Sequence, residues 1–118
     1  MNYLSRIKLA SVVAGAALVL VSTSALAVDA EAAKALARQN NCLKCHGIDK
    51  DKDGPAYNKV AAKYKGKAEA EAKLMNHIVS GEKAKFPDGH EEEHKIVKTT
   101  PPNDKDQIKN LVQWILAQ

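Results

Sequence analysis

Four stretches of the chain carry apolar or alanine positions at helical spacing, separated by polar runs with Gly, Pro, Asn and Asp. Residues 29–39 (DAEAAKALARQ) are alanine-rich, with acids leading and Lys34 and Arg38 following, which suits both helix propensity and the macrodipole. Asn40-Asn41 is expected to end that helix. Residues 57–65 place Tyr57, Val60, Ala61 and Tyr64 on one face, with Gly66 as the stop. Residues 68–80 set Leu74 and Ile78 four apart before Gly81; His77 lies off that stripe and is expected to be solvated. In the last stretch, 105–117, Asp104-x-x-Gln107 resembles a capping box, and Ile108, Leu111, Val112 and Ile115 form an i, i+3, i+4, i+7 stripe. No run is β-rich, and Gly47 to Pro55 reads as loop. The pattern predicts an all-α domain in which the last helix crosses the first, the helix carrying Leu36.

Residues 1–27 fall outside this domain. Arg6 and Lys8 precede an apolar run from Leu9 to about Val21 and an Ala25-Leu26-Ala27 site, the layout of a cleaved secretory signal peptide. The run is short of the roughly 20 apolar residues of a spanning helix, so no lasting membrane anchor is expected. Cleavage leaves residues 28–118, 91 of the 118, as one small domain directed to the periplasm. Its aromatics are Tyr57, Tyr64, Phe86 and Trp114, few for a core of this size, so a cofactor, metal or disulfide is expected to help hold it together. Trp114 reads as a core aromatic. Without Arg6 and Lys8 the 18 basic residues become 16 against 14 acidic ones, a formal +2. The charges are interspersed, as in DKDKD (49–53), which gives nucleic-acid binding no support.

The two cysteines, Cys42 and Cys45, lie in CLKCH (42–46). C-x-x-C-H is the pattern of c-type haem attachment, with two thioethers to the porphyrin and the adjacent His46 as proximal iron ligand. A Cys42–Cys45 disulfide would close a tiny loop and stabilise little. A redox dithiol would want a βαβ setting. Zinc is the sharper rival, since His90 and His94 complete a Cys2His2 set, but the separation from Cys45 far exceeds that of the usual finger. The expected cofactor is therefore one covalent haem c with its iron.

Taken in order, Leu36, CLKCHGID, GPAYNKVAAKYKG, AEAKL, HIVSG, PPND and IKNLVQWILAQ resemble the small bacterial monohaem class I cytochromes c, over about residues 35–118. The resemblance implies that family's fold, with N- and C-terminal helices crossing over the haem. It implies Cys42 and Cys45 as thioether residues, His46 as axial ligand, and the Pro55 carbonyl bonded to the far nitrogen of His46, which would fix the tautomer. It also implies a monomeric electron carrier, not an enzyme, meeting redox proteins in the periplasm.

One position departs from the family. The second ligand is normally a methionine just before the Pro-Pro that leads into the last helix, and here Thr100 stands there. Met75 is the one methionine after the leader and falls within an expected helix. The preceding loop is longer than the family's and contains GHEEEHK (89–95). Imidazole binds haem iron well, so His94, six residues before Thr100, is the candidate distal ligand. His90, Met75, a lysine such as Lys95 or Lys98, water or no ligand are the alternatives; His90 follows the Asp88-Gly89 turn signal and is expected to face water. With His94 bound, a low-potential carrier is expected. An open or labile distal site would instead make a haem protein that binds nitric oxide, carbon monoxide or oxygen.

Overall fold

The computed structural model describes residues 27–118 together with Gly15 and Ala17, so the expected leader lies outside the described residues apart from these few positions. The elements are α1 (Ala30–Gln39), α2 (Cys42–Cys45), α3 (Tyr57–Tyr64), α4 (Ala70–Ser80), β1 (Lys83–Lys85), β2 (Glu91–Glu93) and α5 (Lys105–Leu116). Among the described residues no helix is long and apolar enough to cross a membrane.

The two end helices start on aspartates and meet. Asp29 caps α1, its Oδ1 accepting from the Ala32 N–H at 3.0 Å, and Asp104 caps α5 by accepting from the N–H groups of Asp106 and Gln107. Asn110 of α5 ties the ends together. Its Oδ1 accepts from the Asp29 N–H at 2.9 Å and its Nδ2 donates to the Asp29 carbonyl at 2.8 Å. Behind that link, Ala33, Leu36 and Ala37 of α1 lie buried against Ile108, Leu111, Val112 and Ile115 of α5. Ala33 and Ala37 have no side chain beyond Cβ, so the backbones approach closely. Trp114, 4% exposed, belongs to the same cluster as Tyr57 of α3 and Ile78 of α4.

The loop expected between α4 and α5 contains a hairpin. β1 and β2 pair antiparallel, Lys83 opposite Glu93 and Lys85 opposite Glu91. Strands reading KAK and EEE show no apolar alternation, so periodicity could not reveal them. Their pairing rests on opposite charges across the ladder and on the Phe86-Pro87-Asp88-Gly89 turn, where the Gly89 N–H donates to the Phe86 carbonyl at 2.9 Å and Gly89 takes φ +91. The segment beyond the hairpin is fastened at three points. The His94 N–H donates to the Glu82 carbonyl (3.0 Å) and the Val97 N–H to the Ile78 carbonyl (2.8 Å). The Asn40 amide accepts from the Lys98 N–H (2.7 Å) and donates to the Lys98 carbonyl (3.0 Å).

Candidate functional site

α2 is a single turn, and that turn explains the cysteine spacing. Residues i and i+3 share a helix face, so Cys42 and Cys45, both free and half-buried, project to one side. Asn41 enters the turn in the left-handed region, φ 57, which asparagine tolerates better than most residues. His46 leaves it extended, at φ −116 and ψ 125, so the chain departs from the helix at the imidazole. Burial raises the Cys42 thiol pKa by more than the hydrogen bond with the Tyr57 hydroxyl lowers it.

The His46 ring is held on two sides. The Nδ1 of His46 lies 2.7 Å from the Pro55 carbonyl and donates to it, so Nε2 is the nitrogen left outside that bond. Gly54 passes so close that a Cβ there would lie 2.5 Å from Cε1 of His46. Tyr57 stacks on the imidazole at a centroid distance of 5.2 Å and meets Trp114 edge-on at 5.7 Å, so an aromatic column links His46 to α5. Asp51 stabilises the loop by accepting from the Ala56 N–H and pairing with Lys59.

Across a cleft of about 1300 Å³ stands His94. Its ring centroid lies 6.1 Å from that of His46. The Nδ1 of His94 donates to the Lys95 carbonyl at 2.9 Å, so its Nε2 is the nitrogen left with a lone pair, as in His46. Burial lowers the His94 pKa, with His77 pushing it the same way, and both effects favour the neutral, ligating form. Two free thiols on one turn, the imidazoles of His46 and His94 on the same cleft, and apolar side chains of Leu111, Val112 and Ile115 behind them fit a covalently attached haem.

The other candidates are placed differently. Thr100 is exposed and its carbonyl accepts from Gln107 Nε2 at 3.0 Å. Met75 packs against the apolar cluster and does not line the cleft. His90 also lines the cleft, but it sits just after the hairpin turn, stacked on Phe86 at 4.4 Å and engaged on both ring nitrogens by Asp88 and Glu92. Lys95 lines the cleft, whereas Lys98 is held through its backbone by Asn40. Among the described residues no group of three or more His, Cys, Asp or Glu side chains is set to hold a metal ion, so Cys42, Cys45, His90 and His94 do not form the zinc set.

His77 departs from its expected place in water. It lines the cleft, its ring centroid 4.4 Å from that of His94 and its Nδ1 2.6 Å from Glu82 Oε1. The apolar stripe of α4 could not show this, because the contact depends on Gly81 reversing the chain after the helix, at φ +70. Gly54, Tyr57 and Asn40 also act on the site through contacts that spacing does not reveal.

Residues 30–118 match the model of the cytochrome c family. The chain is 35% identical over 91 residues to cytochrome c-551 of Pseudomonas aeruginosa, an overlap covering 75% of this chain and 79% of that one. It is also 35% identical over 99 residues to cytochrome c-552 of Hydrogenobacter thermophilus, covering 83% and 93% respectively. Among solved structures, the class 1 cytochrome MtoD from Sideroxydans lithotrophicus ES-1 is similar at 67% identity and a TM-score of 0.72, over 77% of this chain and 97% of that one. Cytochrome c552 of Nitrosomonas europaea is similar at 30% identity and a TM-score of 0.55, over 70% and 95%.

Proposed function

The chain belongs to the cytochrome c family, and from that membership we propose a periplasmic carrier whose haem iron is held by His46 and His94, at a potential below that of methionine-ligated relatives. Electron transfer through one covalent haem c is the activity of the family. The ligand pair is particular to this reading. Haem c, when bound, supplies a one-electron couple between ferric and ferrous iron.

The observation that carries the proposal is the facing pair of imidazoles at 6.1 Å. His46 and His94 would hold the iron between them, a metal–imidazole bond being about 2 Å long. Each ring has its Nδ1 tied to a backbone carbonyl, Pro55 for His46 and Lys95 for His94. Such bonds fix the tautomer and make the other nitrogen a stronger donor. A thioether raises haem potential relative to a nitrogen donor, and this chain has threonine where the family has that thioether. Cys42 and Cys45 are assigned the two thioether bonds. Residues 1–27 are assigned to a leader removed on export, leaving a monomer that meets its redox partner proteins in the periplasm.

The spectrum of the oxidised holoprotein tests the ligand pair. It should be low-spin and lack the red methionine-to-iron charge-transfer band. Because His77 stands in the same cleft, the decisive variant is H77A/H94A, which should turn high-spin. A methionine charge-transfer band in the wild type, or a low-spin double variant, would refute the assignment.

A further inference from the structure

The distal imidazole is braced by a closed circuit of three residues. Gly81 ends α4 at φ +70, in the left-handed region, and so turns the chain back along the helix. That reversal brings Glu82 beside His77, one turn before the helix end. The Glu82 carboxylate accepts from His77 Nδ1 at 2.6 Å, and the Glu82 carbonyl accepts from the His94 N–H at 3.0 Å. The circuit closes where the His77 ring meets the His94 ring, centroids 4.4 Å apart and planes inclined by 47°. One residue thus holds the backbone of His94 and also the side chain packed against its imidazole.

We propose that His77, anchored by Glu82, is a positioning residue that fixes the plane of the distal imidazole and keeps it on the iron. The proposal rests on the reading of His94 as distal ligand. The bond from Nδ1 to the Lys95 carbonyl holds the His94 ring at one point, so rotation of the ring is opposed there by a single hydrogen bond. The His77 ring blocks that rotation on one side. His77 is itself restrained, its side chain only 31% exposed and its Nδ1 engaged. Loss of a group that orients a metal ligand typically weakens ligation by about 10- to 100-fold.

The test is carbon monoxide binding to the reduced holoprotein, which requires the distal ligand to leave, read together with the electron paramagnetic resonance g values of the oxidised form. H77A should remain low-spin, bind carbon monoxide about 10- to 100-fold faster than wild type, and show altered g values as the ligand plane relaxes. H77F keeps a ring against His94 and should restore slow binding. E82Q keeps His77 but replaces its charged anchor, and should fall between the two. Wild-type rates and g values in both H77A and E82Q would overturn the proposal while leaving the ligand reading intact. If H94A stays low-spin and H77A becomes high-spin, the ligand reading itself fails, and this inference with it.

Discussion

Gly54 makes a sharp demand on the proximal side. In G54A the new methyl would sit 2.5 Å from Cε1, 2.8 Å from Nδ1 and 2.9 Å from Nε2 of His46. Carbon atoms rest at about 3.5–4.0 Å, so methyl and ring must separate by about 1 Å. The Gly54 N–H donates to the Cys45 carbonyl at 2.7 Å and its carbonyl accepts from the Lys52 N–H, so the backbone is restrained and the ring must move. A 1 Å shift away from Pro55 would carry the 2.7 Å Nδ1 contact beyond hydrogen-bonding range. Overpacking costs about 1–3 kcal/mol and the lost bond about 1 kcal/mol. Alanine recovers about 0.4–1 kcal/mol by restricting the unfolded chain. The net loss of about 1–3 kcal/mol should lower Tm by roughly 5–20 °C in a domain of this size. Thermal unfolding of the holoprotein measures the stability, and the iron–histidine stretching frequency in the resonance Raman spectrum of a five-coordinate ferrous form measures the ligand. G47A provides the contrast, since a Cβ there meets the Lys50 backbone instead of the ring. It should destabilise the loop with little change in that frequency. A G54A protein with wild-type Tm and frequency would refute the reasoning.

Asn40 clamps the distal segment through both backbone groups of Lys98, so N40A should cost about 1–3 kcal/mol in denaturant unfolding and speed carbon monoxide binding. Thr99 Oγ1 donates to the Pro101 carbonyl at 2.7 Å and accepts from the Asp104 N–H at 2.8 Å. T99V keeps the volume but strands both partners, for a loss of about 1–3 kcal/mol by the same assay. L111A removes one of the most deeply buried side chains, 1% exposed where α5 meets the cleft, and should cost about 2–5 kcal/mol. His90 has its pKa raised above 6.5, chiefly by Asp88 and further by Glu92. Its contribution to the hairpin is therefore fully present below pH 6.5 and lost as pH rises through the higher folded value. An NMR titration of the diamagnetic reduced protein should place its pKa above that of an unfolded histidine, and D88N should bring it down.

What the sequence makes legible here is whatever one element can encode by itself. The Ile108, Leu111, Val112, Ile115 stripe and the Asp104 cap lie within α5, and both were readable because period and cap concern neighbours in the chain. The structure adds a twist to the cap. Gln107 does not return to the Asp104 N–H, as a capping box would have it; Thr99 accepts that hydrogen, and Gln107 reaches Thr100 and Asp104 Oδ2 instead. CLKCH was readable for the same reason, since one helical turn sets the relation between its cysteines. The hairpin was not, because its strands are only three residues long, with Ala84 their single apolar position, and only pairing defines them. The place of His77 is not legible because its neighbour His94 is 17 positions away in the chain and reaches it through a glycine reversal and a hairpin.

Under the proposed ligation, that arrangement also bears on why the His94 imidazole needs so many restraints. A methionine next to the Pro-Pro turn would inherit the rigidity of that turn, which here is fixed by Thr99 and leads straight into α5. His94 lies six residues upstream, on a segment without regular secondary structure between β2 and α5. A segment of that kind has backbone freedom that ligand binding would have to remove, at about 1–2 kcal/mol per residue. The bonds from His94 to Glu82, Val97 to Ile78 and Lys98 to Asn40 remove it in the folded protein instead. The hairpin gives the segment its starting point, since β2 ends at Glu93 and delivers the chain directly to His94. On this reasoning, shortening the hairpin while leaving His94 in place should be more damaging than a surface deletion of the same length. The hairpin adds little to the apolar core; it walls the cleft through Ala84, Phe86 and Glu92 and releases the chain at His94.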